Sequence, residues 1–155
     1  MRLTSDSFAS GGAIPVRHTC DGANTSPPLA WSDVPADAKS LALIVDDPDA
    51  PDPKAPKRIW VHWVLYNIPP TVRALAEGAP RSPVPDEARE GLHDGGALGY
   101  DGPCPPIGTH RYFHTLYALD CMLPDLGPRA TRHDLDAAMK GHILARAQIM
   151  GTYHR

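Results

Sequence analysis

Residues 59–67 read Ile-Trp-Val-His-Trp-Val-Leu-Tyr-Asn, a run of β-branched, aromatic and aliphatic side chains interrupted by one histidine. A run of this kind reads as a largely buried β-strand. Two other stretches share its character: Ser40 to Val45 (SLALIV), which ends at Asp46-Asp47, and Arg111 to Leu119 (RYFHTLYAL). Prolines bound all three, with Pro48 and Pro51 after the first, Pro69 and Pro70 after the second, and Pro103, Pro105 and Pro106 before the third. Proline donates no ladder hydrogen bond, so these breakers fix where the strands stop.

Composition points the same way. The chain of 155 residues fits one domain, 1–155, and its 42% hydrophobic and 21% charged residues lie in the globular range. Eighteen prolines and 13 glycines are more than a helical bundle tolerates. Fifteen Lys and Arg against 18 Asp and Glu give a net charge of -3, which argues against a broad basic footprint for nucleic acid. Residues 1–12 hold no apolar stretch flanked by basic residues, and no segment nears eighteen consecutive apolar positions. The expectation is a cytoplasmic protein without signal peptide or membrane span. Cys20, Cys104 and Cys121 are odd in number and lack CxxC spacing, which argues against a disulfide framework or a structural zinc site and leaves a Cys20–Cys104 bridge open.

Thr131 to Met150 changes period. Leu135, Ala138, Met139, Ile143, Ala147 and Met150 follow helical spacing, with a cap at Thr131 or His133-Asp134 and a weak interior point at Gly141. Glu77 to Tyr100, rich in Gly, Pro and charge, reads as a long ordered loop.

Three clusters carry chemistry. Asp46-Asp47-Pro48-Asp49-Ala50-Pro51 stands where a buried strand runs out into a loop. There it makes either a turn or a set of carboxylates held by the sheet and open to solvent. His62 shares a strand face with Trp60, Val64 and Tyr66 by simple alternation, and a buried histidine requires a partner. In Gly99 to Tyr112, prolines lock the backbone while Gly102 and Gly108 permit close approach, as in a rigid loop presenting amides. His110 and Tyr112 project into one space, and Arg111 points away to brace an acid. His142 reads as a packed helical residue beside Met139 and Ile143. His18, His93, His114, His133 and His154 have no usable spacing, and Trp31, Trp60 and Trp63 read as core.

The runs Ser26-Pro27-Pro28-Leu29-Ala30-Trp31, Asp47-Pro48-Asp49-Ala50-Pro51, Trp60-Val61-His62-Trp63 and Gly102-Pro103-Cys104-Pro105-Pro106 through His110-Arg111-Tyr112 resemble the phosphatidylethanolamine-binding protein family, also called Raf kinase inhibitor proteins, in its short bacterial branch. The resemblance spans about Phe8 to Tyr153. It implies a mainly β, β-rich α+β fold: a central, largely antiparallel sheet, a smaller second sheet and a few flanking helices, one near the C-terminus. It also implies a ligand pocket at Asp47, His62, the backbone of Gly102, Pro103 and Cys104, and His110 with Tyr112, lined or supported by Asp49 and Trp60. No cofactor and no catalysis are implied, and bacterial relatives suggest a homodimer. Gly91-Leu92-His93-Asp94-Gly95-Gly96 departs from the polar pair common before the GPCPP loop, which implies a pocket border of different shape.

Such a pocket offers loop amides, a Tyr112 hydroxyl and imidazole N–H groups to a phosphate, phosphorylethanolamine or phospholipid headgroup. Asp47 fits an anion site if it raises the proton affinity of a neighbouring histidine, or if it accepts from a protonated phosphate or an ammonium. Capture by protonated histidine predicts affinity falling between pH about 6 and 8. Two other classes compete. A metal-dependent phosphate hydrolase would use Asp46, Asp47, Asp49, His62 and His110, although no HExxH is present, and a nucleophile would be Ser26 or Cys104. A kinase or protease inhibitor would receive a protein target in the same pocket.

Overall fold

The computed structural model describes residues 1–79 and 87–155. Its strands are β1 (Arg2–Thr4), β2 (Leu29–Ser32), β3 (Ser40–Ala50), β4 (Arg58–Ile68), β5 (Ala74–Leu75), β6 (Arg89–Gly91), β7 (Thr109–Leu119) and β8 (Ile143–His154). Among the described residues a 3-10 turn covers Val16–His18, and one α-helix, α1, covers Arg132–Met139. The main sheet runs β6-β4-β3-β7-β8 and the smaller one β1-β2-β5, with every strand pair antiparallel. The mainly β architecture with two sheets is therefore as expected. No helix among the described residues is long and apolar enough to cross a membrane.

Both faces of the main sheet are covered, which explains why its central strands read as continuous apolar runs rather than alternating ones. In β3, Leu41, Leu43 and Val45 face a core shared with the small sheet, where they meet Leu3, Leu29, Trp31, Trp63 and Leu65. Ala42 and Ile44 face a second core with Val61, Val64, Tyr66 and, from α1, Leu135 and Met139.

The expected helix over Thr131 to Met150 is corrected to eight residues followed by a strand. Of the two cap positions offered by the sequence, Thr131 is the N-cap, and it forms a reciprocal capping box with Asp134. Gly141 then adopts φ +82, a conformation that ends the helix, and residues 143–154 pair with β7 from Leu119↔Ile143 to Thr109↔His154. Positions 143, 147 and 150 satisfy helical spacing by coincidence, whereas Ala145, Ala147 and Ile149 alternate into the first core. His142 consequently sits in the turn before β8, not on a helix. The expected loop from Glu77 to Tyr100 also changes. It contains β6, paired with β4, and a Leu92–Leu98 bridge, while 80–86 lie outside the described residues.

Candidate functional site

β3, β4 and β7 lie side by side, and a cavity of about 210 Å³ opens among the ends of these strands. Asp47, Trp60, His62, Gly102, Cys104, His110 and Tyr112 border it. So do Ala50, Pro51, Asp101, Pro105 and Pro106, which were not named as individual site residues. Pro51, Pro105 and Pro106 belong to the motifs quoted above, and Ala50–Pro51 is a cis peptide.

His62 reaches the cavity through a register fault. Val45 pairs with Trp63 and Asp46 with Val61, so His62 is the extra residue of a β-bulge. The bulge breaks the alternation assumed from sequence. Trp60 and His62 border the cavity, but Val64 and Tyr66 belong to the opposite face with Val61. Trp60, expected as core, is half-buried in the wall with the Arg58 guanidinium 4.6 Å from its ring centre.

The two imidazoles are held differently. His110 Nδ1 lies 2.6 Å from Asp47 Oδ2, and its Nε2 lies 3.0 Å from the Ile107 carbonyl. Both neighbours accept, so both bonds form when the ring carries both protons. Asp47 Oδ1 meanwhile accepts the Asp49 amide at 2.7 Å. The pair is buried, with 1% and 5% of the two side chains exposed. Contrary to expectation, His110 borders the cavity without an N–H to spare.

His62 Nδ1 donates to the Asp101 carbonyl at 2.5 Å, which leaves Nε2 as the lone-pair nitrogen. That atom is buried and has no partner among the described residues, and the same holds for the Tyr112 hydroxyl. Burial lowers the His62 pKa, outweighing the Asp101 carbonyl that favours the charged ring, so the neutral form is preferred. Burial likewise raises the pKa of Tyr112, which keeps its proton. The rings meet edge to face at 5.3 Å.

The loop after Tyr100 is tied down behind the cavity. A Cys20–Cys104 disulfide joins it to the 3-10 turn region, and Tyr100 Oη donates to the His18 carbonyl at 2.7 Å. The Gly102 amide donates to Asn24 Oδ1 at 2.8 Å, and a Cβ at Gly102 would lie 2.2 Å from the His18 carbonyl oxygen, so no larger residue fits. This amide is therefore committed within the protein. Pro103 is buried behind the wall, its carbonyl accepting the Cys20 amide. The bridge settles the pairing left open by cysteine counting and removes Cys104 as a thiol nucleophile. Disulfides persist mainly in oxidising compartments, so the bond and the cytoplasmic expectation pull in opposite directions. Ser26, the other nucleophile considered, is buried and donates to the Ala79 carbonyl at 2.6 Å.

The aspartates of the first motif diverge. Asp46 points across the sheet to Arg132 of α1, Asp47 holds His110, and Asp49 receives Arg111 through its amide, Nε and Nη2 at 2.8–3.0 Å. The Arg111 hydrogen bonds lower the Asp49 pKa. Asp49 therefore supports the strand ends from behind, held by Arg111, and the three carboxylates do not converge on one point. Gly91 to Gly96 supply no wall residue. Asp94 instead anchors Arg58 at 2.9 Å and the Val61 amide at 2.8 Å.

The phosphatidylethanolamine-binding protein family model matches residues 4–154. A UPF0098 protein of Methanothermobacter thermautotrophicus is 52% identical over 156 residues, covering 100% of this chain and 99% of the relative. The crystal structure of a putative phosphatidylethanolamine-binding protein homologue from Chlamydia trachomatis superposes with TM-score 0.89 at 47% identity, over 99% of this chain and 97% of that one. E. coli YbcL, described as a new member of the mammalian family, gives TM-score 0.89 at 33% identity, over 99% and 98%.

Proposed function

This chain belongs to the phosphatidylethanolamine-binding protein family, and from that premise we propose that its β3–β4–β7 cavity binds a small phosphorylated group without converting it. Free phosphate, phosphorylethanolamine and a phospholipid headgroup share the chemistry concerned. The observation that carries the reading is the pair of unpartnered buried polar atoms on two wall residues, His62 Nε2 and Tyr112 Oη. Buried polar groups are normally satisfied, and a ligand with both acceptor and donor oxygens satisfies these two. The volume of about 210 Å³ is below the roughly 300–1,000 Å³ of pockets for drug-sized ligands, which suits a headgroup more than a whole lipid.

The donor and acceptor pattern defines the form of ligand. The Tyr112 hydroxyl donates to a phosphoryl oxygen. Neutral His62 accepts, so it takes a proton from the P–OH of a monoanionic phosphate or from an ethanolamine ammonium. Asp47 and His110, hydrogen-bonded to each other, form the polar wall. For a phosphomonoester affinity then falls as pH rises through about 6, where the second P–OH ionises, whereas a diester headgroup has no such proton and can offer His62 only its ammonium. The direction matches capture by a protonated imidazole, but the titrating group is the ligand.

Titration calorimetry at pH 6 and pH 8 tests this with inorganic phosphate, phosphorylethanolamine and the diester glycerophosphorylethanolamine. The expected result is monoester binding that weakens at pH 8 and is lost in His62→Leu. Absence of binding by all three at pH 6 rejects the phosphate reading. Equal monoester affinity at the two values rejects the role given to the P–OH group.

A further inference from the structure

A second constellation lies at the other end of β7. Asp120 and Cys121 follow that strand directly, and His142 precedes β8. One ligand atom from each, a carboxylate oxygen, the Sγ and an imidazole nitrogen, fall within 4.8 Å of one another. We propose that Asp120, Cys121 and His142 form a binding site for a zinc-class divalent cation, with a fourth coordination position open to water.

The donor set indicates the class of ion. Thiolate, imidazole and carboxylate together suit Zn²⁺, whereas Mg²⁺ and Ca²⁺ take oxygen ligands. In a tetrahedral site with bonds of about 2.0–2.3 Å the ligand atoms stand about 3.3–3.8 Å apart, so side-chain rotations of about 1 Å complete the geometry. His142 Nδ1 and Asp120 Oδ1 are already 2.8 Å apart, sharing the hydrogen that the cation replaces.

The backbone holds the three residues in place. The Asp120 amide donates to the His142 carbonyl at 2.9 Å, the His142 amide to the Met139 carbonyl at 2.9 Å, and Ser40 Oγ to the Cys121 carbonyl at 2.6 Å. Cys121 and His142 thus stand at the two ends of the excursion, residues 122–141, that carries α1 and the Arg132 partner of Asp46. A bound cation clasps that excursion at its base. The sequence expectation of no metal rests on the odd cysteine count and on the lack of CxxC spacing, of HExxH, of paired histidines at helical spacing and of a second carboxylate cluster. That pattern search does not see ligands contributed by two turns 22 residues apart.

Co²⁺ titration of the full-length protein provides the test, with Zn²⁺ as competitor. Cys20 and Cys104 are joined, so Cys121 is the free thiol and a thiolate-to-cobalt charge-transfer band reports on it alone. The expected result is a band saturating at one Co²⁺ per chain, abolished in Cys121→Ser and displaced by Zn²⁺. Binding should be at least about tenfold weaker in His142→Ala and in Asp120→Asn. Both side chains are about half exposed, so these variants retain the fold. No band in excess Co²⁺, or a midpoint unmoved by either His142→Ala or Asp120→Asn, overturns the three-ligand site.

Discussion

His62 and His110 border one cavity from strands separated by β3, and they are held in opposite ways. His110 has a carboxylate at one nitrogen and a carbonyl at the other, whereas His62 has a carbonyl at one and, among the described residues, no hydrogen-bond partner at the other. The same residue type therefore serves two purposes. His110 and Asp47 form a buried hydrogen-bonded pair that fixes β3 against β7, and His62 Nε2 keeps a hydrogen-bonding position unused among the described residues. Proximity to a cavity does not separate these roles. Unspent bonding capacity does.

The sharpest way to break the comparison is to substitute Asp47 and His62 in parallel. Asp47→Ala strands His110 Nδ1 in a site where 1% of the ring is exposed, and removal of one partner of a buried pair costs about 3–5 kcal/mol. His62→Leu loses the bond to Asp101 but also removes an unsatisfied nitrogen, so its stability should stay within about 1 kcal/mol of wild type. Urea unfolding of the two variants measures both. A His62→Leu protein as unstable as Asp47→Ala would make His62 structural as well and end the distinction.

A third histidine supplies a control lying away from the cavity. His114 is on β7, 1% exposed, with its ring 5.5 Å from that of Phe8 and neither ring nitrogen partnered among the described residues. Burial pushes its pKa down to about 4. The unfolded value is near 6.5, so the unfolded chain binds the proton more readily at acid pH. The stability associated with neutral His114 is complete above about pH 6.5 and is lost as pH falls toward 4, by on the order of 3 kcal/mol at most. His18 and His62, also lowered by burial, act in the same direction. His114→Leu removes two polar ring atoms that burial strips of water and should leave stability at pH 7 unchanged or raised by about 1 kcal/mol. Unfolding curves at pH 7 and pH 4.5 should show that outcome together with a shallower acid loss. A destabilised variant would mean that His114 has a function its surroundings do not reveal.

Much of this could be read from the chain, and the failures have identifiable physical causes. β3, β4 and β7 were legible because both faces of the sheet are covered, which concentrates apolar residues into unbroken runs. The face carrying His62 was misread because one bulged residue reverses every side chain beyond it, and no composition signal marks the register shift between Val45 and Asp46. The start of β8 reads as helix because apolar residues at 143, 147 and 150 keep helical spacing, while the alternation of Ala145, Ala147 and Ile149 becomes decisive only once the segment pairs with β7. The Cys20–Cys104 bond spans 84 residues of sequence, beyond any local spacing rule. The family motifs hold Asp47, Trp60, His62, Gly102, Cys104, His110 and Tyr112, which border one cavity, but they do not distinguish His110, satisfied from within, from His62. That difference depends on backbone carbonyls at Ile107 and Asp101, which sequence does not display.

Tyr112→Phe is the finest probe of the comparison, because it deletes a single oxygen. That oxygen is buried and unpartnered among the described residues, and burial holds the phenol in its protonated, donating form. The ring itself packs in the first core and remains after substitution. Stability should therefore be unchanged or raised by up to about 1 kcal/mol, since an unsatisfied group is lost with no change of packing. Phosphate affinity at pH 6 should fall roughly tenfold, the equivalent of one hydrogen bond to an acceptor. Calorimetry and urea unfolding on the same preparation read both quantities. A loss of stability with affinity intact would assign the hydroxyl to the scaffold, leaving His62 Nε2 as the buried wall atom without a partner among the described residues.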